Sequence, residues 1–443
     1  MNSYGLVGRI SICAALLSGF SLLAEGSALC VNSQGRNGCY STITAAVAAA
    51  APESVIKVAP GVYKEDVTIG KSLSLIGAGR DSTIINADRL PNGIFIDGIN
   101  NPGLSHVVVA GFTIENANYE GILAANASSV TILKNLVRGN DKSLDPSTDS
   151  CPGISDFETA EGFDCGEGVH LMGIHHSNIT DNIVVKNAGG ILLSDDTGAA
   201  HDNVISGNVV GENPFDCGIT LASHPPATLT GSSTPLGVFH NTISGNESFR
   251  NGLGADGAGA GVGIFDSVPG AMNYGNVVVK NYLHDNGMPG VAIHSHTPNQ
   301  KLDDNVIVAN RIAGNGVDTG DAATPGRTGI NLFGVSPLSG TVVLENVIER
   351  EDVDIFVKNP ADIDIHLNQL LGKGAGINNS GPGRVDATEN WWGCHTGPET
   401  EGCTSVSGDV LFDPFLKEPI QRFDSDKEHS RNSHDDEHSN RDH

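Results

Sequence analysis

Aromatic side chains are scarce in this sequence, 5% of its 443 residues, and only 2 of them are Trp. That scarcity excludes a conventional globular core built on large rings. The 56 Gly instead suit a chain that turns often and packs small residues. Basic residues are also few, 25 Lys and Arg against 52 Asp and Glu, which leaves a formal net charge of -27. Such a surface repels nucleic acid and anionic membrane, and it would need a bound cation or a local basic groove to receive a polyanionic substrate. Beyond the first thirty residues there is no hydrophobic run long enough to cross a bilayer. CxxC-like spacing is missing as well, which argues against a zinc–thiolate site.

The first thirty residues have the pattern of a secretory leader: Arg9, an apolar run from Ile10 to about Ala24, then Gly26-Ser27-Ala28 as a small-residue cleavage site. The expected product is an exported protein, secreted or periplasmic, with residues 1–28 removed. Cysteine usage agrees. Apart from Cys13 in the leader, the sequence offers three close pairs, Cys30 with Cys39, Cys151 with Cys165 and Cys394 with Cys403, and leaves Cys217 as a buried free thiol. Each pair would clip a short loop in an oxidising compartment.

A repeat runs through the chain. The stretches starting at Thr180, His201, Phe239, Tyr274 and Asp303 share one grammar of roughly 20 to 25 residues. Asn opens a short β-branched strand, a second Asn follows about five residues later, and a Gly leads an apolar-alternating strand that ends in a polar loop. One such unit cannot bury its own apolar face, so units must stack as the coils of a parallel solenoid, about 4.8 Å apart. Asn and Gly are expected at the corners because they tolerate left-handed backbone angles. Asn203, Asn241, Asn276, Asn305 and Asn346 are predicted to stack amide on amide at one corner.

A solenoid needs capped ends. Ser41 to Pro52, STITAAVAAAAP, predicts a short apolar helix at the N-terminal end. At the other end ENWWGCHTGPETEGC, Glu389 to Cys403, followed by FDPFL, Phe412 to Leu416, predicts a Trp and disulfide plug; the alternative for Trp391 and Trp392 is a sugar-stacking platform. The cap helix followed by IKVAPGVYKEDVTI and SLSLIGAG, the Asn-rich coils, and the ENWWG and DPFL segments resemble secreted right-handed parallel β-helix proteins of the pectin lyase-like superfamily. They are most similar to its group of carbohydrate-binding proteins and sugar hydrolases, which includes periplasmic factors for nitrous oxide reductase maturation. The resemblance covers roughly Ser41 to Leu416. It implies an all-β fold, a single right-handed parallel β-helix over residues 29–420. Residues 421–443 form an acidic, His-rich tail with almost no apolar residues, expected to be disordered. Its His429, His434, His438 and His443 are weak candidate metal ligands.

The strands led by Gly168, Gly190, Gly218, Gly261, Gly290 and Gly329 align on that Gly. The first and third residues after it are apolar and should point inward, while the even positions point out. The sixth position reads Ile174, Asp196, His224, Ser267, His296 and Val335, and the fourth and fifth add Ser194, Asp195, Asp266 and His294. Architecture accounts for the repeated frame. It does not require Asp and His on the central coils, so Asp195, Asp196, His224, Asp266, His294 and His296 are the candidate catalytic residues, on a shallow face walled by the inserted loops SLDPSTDSCPGISDFETAEGFDCGEG, LTGSSTPLG and VDTGDAATPGR.

Three functions fit such a face. A glycoside hydrolase needs two carboxylates, about 5.5 Å apart for retention or about 6.5 to 9.5 Å for inversion. A polysaccharide lyase needs a base, here His224, His294 or His296, and a neutraliser for the uronate, commonly Ca²⁺ held by Asp. The second function is non-enzymatic binding of carbohydrate through rows of Asn, Asp, Ser and Thr. The third is periplasmic metal handling, with His224, His294, His296 and Asp196 as ligands for Cu or Zn. The sequence shares GVYKE with pectin methylesterases but lacks their paired-Gln and Asp-Phe-Ile-Phe-Gly strands, and it lacks the Asn-Thr-Asp and Gly-His-Gly pattern of polygalacturonases. Polysaccharide or oligosaccharide is the expected partner, and a monomer the expected state. The two FDCG segments, Phe163 to Gly166 and Phe215 to Gly218, are read as turns.

Overall fold

The computed structural model describes residues 28–148, 150–158, 165–255 and 257–420. The expected leader, the acidic tail and Phe163 and Asp164 of the first FDCG lie outside the described residues. Short strands wind into three long parallel sheets of 14, 12 and 11 strands, with a small fourth sheet of 3. Sequence neighbours lie in different sheets and each strand pairs with its counterpart one coil away, the topology of a parallel β-helix with right-handed crossovers. Inward-pointing Ile, Val and Leu from all three long sheets merge into one continuous core from Val31 to Trp392.

The N-terminal cap is shorter than predicted, a helix at Ile43–Ala49. Thr42 caps it by accepting the Ala45 N–H. Glu65 accepts the Ile43 and Thr44 N–H groups, each at 2.8 Å, a carboxylate placed at the positive end of the helix. At the far end the two Trp part company. Trp392 is fully buried and meets Phe412 edge-to-face with centroids 6.3 Å apart, whereas Trp391 is half-buried and its backbone bridges to Gln369. The plug forms; a side-by-side Trp platform does not. The three disulfides pair as expected, and Cys217 is a free, buried thiol.

The Asn residues form three ladders. Asn135, Asn182, Asn208, Asn246, Asn281, Asn310, Asn346, Asn368 and Asn390 make the longest. In each step the backbone N–H and the Nδ2 of one Asn donate to the Oδ1 of the next. The Nδ2 also donates backwards to a carbonyl of the preceding coil, as from Asn208 to Ile179 at 2.8 Å. A second ladder runs from Asn140 through Asn187, Asn213, Asn251 and Asn286 to Asn315, where Glu351 closes it by accepting the Asn315 N–H and Nδ2. A third joins Asn203, Asn241, Asn276 and Asn305.

Two sequence expectations need correction here. Asn346 does not follow Asn305; it continues the longest ladder, because it opens the strand Val347–Glu349, whose partner is Arg311–Ala313. Nor is the Asn the left-handed residue. That role falls to the residue before it, which in the longest ladder includes Lys134, Asp181, Lys280, Ala309, Glu345, Leu367 and Glu389. Non-Gly residues tolerate the conformation at a cost of about 1 to 2 kcal/mol each, which the fully bonded amide that follows offsets.

Asn246→Ala should therefore remove the acceptor of two Asn208 donors and the donor to Ile205. The expected loss is about 3 kcal/mol, read as a lower denaturant midpoint. Glu351 supplies a pH test. Burial raises its carboxyl from 4.5 to about 7, against the pull of the Asn315 donors. Its raised value means that the folded state favours the protonated form, so this contribution is complete below about pH 4.5 and is lost as the pH rises through 7. Glu351→Gln should match the wild type near pH 4.5 and exceed it at pH 8 by up to about 3 kcal/mol in unfolding free energy.

Candidate functional site

The Gly-led strands stack as aligned. Val169, Ile191, Ile219, Val262, Val291 and Ile330 are successive register partners in the 12-stranded sheet. The leading Gly is required by space. A Cβ at Gly190 would run into the Gly218 carbonyl and the Val210 side chain, and one at Gly218 into the Ser248 hydroxyl. First and third residues after each Gly lie in the core, as predicted.

The candidate stripe is not the shallow, open face expected. Asp195 and Asp266 are 0% exposed, Asp196 1%, His294 2% and His224 3%; His296 alone is half-buried. Two causes act. Asp195 and Asp266 stand fifth after their Gly, an odd position that turns toward the interior of the coil. The rest are roofed by the inserted loops, which form a second layer over this sheet face.

Asp195 is a structural anchor for one of these loops. It accepts the Ser223 hydroxyl at 3.0 Å, the His224 N–H at 2.7 Å, the Leu236 N–H at 2.8 Å and the Gly237 N–H. Burial raises its carboxyl above the usual range, though these donors pull the other way. Asp196 Oδ2 lies 3.3 Å from His224 Nδ1. Burial alone would raise its carboxyl, but the His224 imidazole, His170 and Ser194 together hold the group below the usual range. Asp266 is pushed well up by burial and by the charge of Asp195.

One coil further on, His294, His296 and Asp321 bring a ligand atom each within 4.8 Å of one another. They line a cavity of about 380 Å³ together with Asp318, Phe265 and Met288. His296 Nδ1 is 2.8 Å from the Asp266 carbonyl, an acceptor, so Nδ1 carries the proton. Nε2 then faces Asp321 Oδ2 at 2.9 Å, so that a proton or a cation joins the two atoms. Burial, reinforced by the charge of His296, drives the His294 imidazole down to about 3, so it stays neutral. Its Nε2 lies 2.8 Å from Asn331 Nδ2 and 3.4 Å from Asp318 Oδ2.

The six candidates thus divide into Asp195, Asp196 and His224, which tie one another and a loop in place, Asp266, which is buried beside them, and His294 with His296, which open on a cavity. Sequence reasoning missed Asp318 and Asp321, although VDTGDAATPGR was expected as a wall; two Asp in an inserted loop over a His-bearing strand was the available signal. It also missed a buried group upstream, Glu120, Glu158 and His170. Burial lifts Glu120 to about 7 and, with the Glu120 charge, raises Glu158 well above its ordinary value. On another face His176, His201 and Asp202 cluster beside a stack of rings, His175, His201, Phe239 and Tyr274, with centroids 5.0 Å apart at each step. Lys301 Nζ covers the Tyr274 ring at 3.6 Å. The faces of His201, Phe239 and Tyr274 are thereby occupied, which leaves them no stacking surface for a sugar.

Continuous parallel sheets, Asn ladders and a capped core define the chain as a parallel β-helix repeat protein. Within it, residues 153–319 match the family described as "Periplasmic copper-binding protein (NosD)". No curated protein sequence matches the chain. Among solved structures it is similar to a DFA-IIIase from Arthrobacter chlorophenolicus A6 in complex with GF2, at 13% identity over 83% of this chain and 89% of that one, with a TM-score of 0.50. It is also similar to the mannuronan C-5 epimerase AlgE6 A-module of Azotobacter vinelandii, at 15% identity over 86% and 95%, TM-score 0.46. A third likeness, to ORF18 of Geobacillus virus E2 at 13% identity and TM-score 0.49, covers 85% of this chain and 59% of that one. At these identities the likenesses show the fold alone. Three disulfides further indicate an oxidising environment. Among the described residues no helix is long and apolar enough to cross a membrane.

Asp195→Ala should release the loop it anchors. We expect faster amide exchange at residues 225–237 and a stability loss of about 3 kcal/mol, since three N–H groups, two of them buried, lose their acceptor.

Proposed function

We propose that this exported β-helix protein binds a late first-row transition-metal ion, copper by preference, in the cavity of His294, His296 and Asp321. The carrying observation is the His296–Asp321 contact, in which a ring nitrogen whose partner nitrogen is committed to a carbonyl faces a carboxylate oxygen at 2.9 Å. A cation with imidazole and carboxylate affinity can take the place of the proton that otherwise joins the two atoms, and Cu and Zn have that affinity. Met288 lines the same cavity and adds a soft thioether suited to Cu(I). The Asp266 carbonyl, by fixing the His296 tautomer, orients the ligand from behind. The match of residues 153–319 to a copper-binding family supports the same reading and takes in His294, His296 and Asp318.

Copper titration of the full chain tests this. His296→Ala and Asp321→Asn should each weaken one binding event by about tenfold or more while the far-ultraviolet circular dichroism stays unchanged. Equal stoichiometry and affinity in wild type and both variants would end the metal reading of this cavity.

A second reading, carbohydrate binding or cleavage, rests on the size of the same cavity, which is within the range of small-ligand sites, and on Asp318 and Asp321 in its wall. A polysaccharide panel with and without Ca²⁺, read for unsaturated uronate and for reducing ends, separates lyase from hydrolase. Silence on every glycan removes the enzymatic version.

A further inference from the structure

A second group of ligand atoms lies on the upstream coils, independent of the cavity above. Glu120 sits at the turn before Gly121 and enters the strand Ile122–Ala125. His170 comes from the next strand of the same sheet, Val169–Met172, where it is the register partner of Leu123. Glu158 descends from the inserted segment. The neighbouring Phe157 stacks on Phe95, with centroids 6.0 Å apart and planes 14° off parallel, and packs on the Leu123, Ala125 and Met172 cluster, which pins the segment over the sheet.

A carboxylate oxygen from each Glu and a ring nitrogen of His170 all lie within 4.8 Å of one another. Glu120 and His170 are 0% exposed and Glu158 8%. Glu120 Oε1 accepts the Gly166 N–H at 3.2 Å, whereas Glu120 Oε2 and both Glu158 oxygens are buried without a well-formed hydrogen bond, the Ser155 side chain and the two carboxyl groups themselves being the polar groups at hand. Buried carboxylate oxygens without donors are costly unless a charge of opposite sign joins them. The further charge acting on Glu158, that of Asp196, is also acidic. His170 Nε2 is 3.0 Å from the Ser194 hydroxyl, a contact that orients the ring as an outer partner orients a metal ligand.

We propose that Glu120, Glu158 and His170 form a buried divalent-cation site. Two carboxylates and one imidazole suit a Mn²⁺- or Zn²⁺-class ion better than copper, because two of the three donors are hard oxygens. The ion satisfies the orphaned oxygens, neutralises both carboxylates, and ties the inserted segment to two adjacent coils.

Manganese is the probe, since it disfavours the His- and Met-lined cavity. After chelator treatment, the full chain is titrated with Mn²⁺ and free ion is read by electron paramagnetic resonance. Wild type should bind one equivalent that Glu120→Gln and Glu158→Gln each lose, and that His296→Ala retains. With wild type alone, saturating Mn²⁺ should slow proteolytic cleavage within residues 141–165 by about tenfold or more; this arm stands even if the Glu variants fail to fold. Equal Mn²⁺ binding by wild type and Glu158→Gln, or no binding and no protection in wild type, would overturn the proposal and leave a proton shared between the two carboxyl groups.

Discussion

The buried corner amide is the interaction on which the rest of the structure depends. Each coil must turn three times within a short stretch, and each turn strands backbone N–H and C=O groups inside the solenoid. An Asn side chain meets both needs at once. Its Oδ1 accepts two donors from one neighbouring coil, and its Nδ2 donates to that coil's counterpart on the other side and to a backbone carbonyl. The ladder also sets register, since a slip of one residue would break every rung. With register held this firmly, the residue before the Asn can be Lys, Asp, Glu or Leu in a left-handed conformation that such residues otherwise avoid.

A second consequence is the layering on the 12-stranded sheet. Its inner face belongs to the aliphatic core, and its outer face is roofed by inserted segments. Polar groups trapped between sheet and roof must be bonded or charged in pairs. Asp195, turned inward at the end of its strand, shows the bonded solution, a carboxylate surrounded by N–H and O–H donors. His296 with Asp321 shows the paired one, and Glu120 with Glu158 sets carboxyl against carboxyl. The burial that gives Asp195 its structural task also sets Glu120 and Glu158 together, whereas Asp321 stands at the exposed rim of its cavity.

The solenoid was legible because its constraints are local and repeated. A leading Gly, inward aliphatic residues at alternate positions and an Asn at each corner recur in coil after coil, and the stacking follows from them. The caps and the Cys pairs were legible for the same reason. The site was legible in part. His294 and His296 stood out as polar residues that the frame does not require, and they do open on a cavity. Parity along the strand separates Asp195 and Asp266 from Asp196, His224 and His296, since odd and even positions face opposite ways.

What the sequence by itself determined is the periodic part: which residues face the core, which open each strand, and that the coils must stack to bury their apolar faces. Tertiary structure alone decided what covers the outer face. Glu158, Asp318 and Asp321 come from insertions that obey no period, so their distance from His170, His294 and His296 depends on how each loop folds back over the sheet. Short-range spacing carries no information about that closure, because it is set by contacts such as Phe157 on Phe95 and Asp195 on the Leu236 and Gly237 N–H groups, made between residues far apart in the chain.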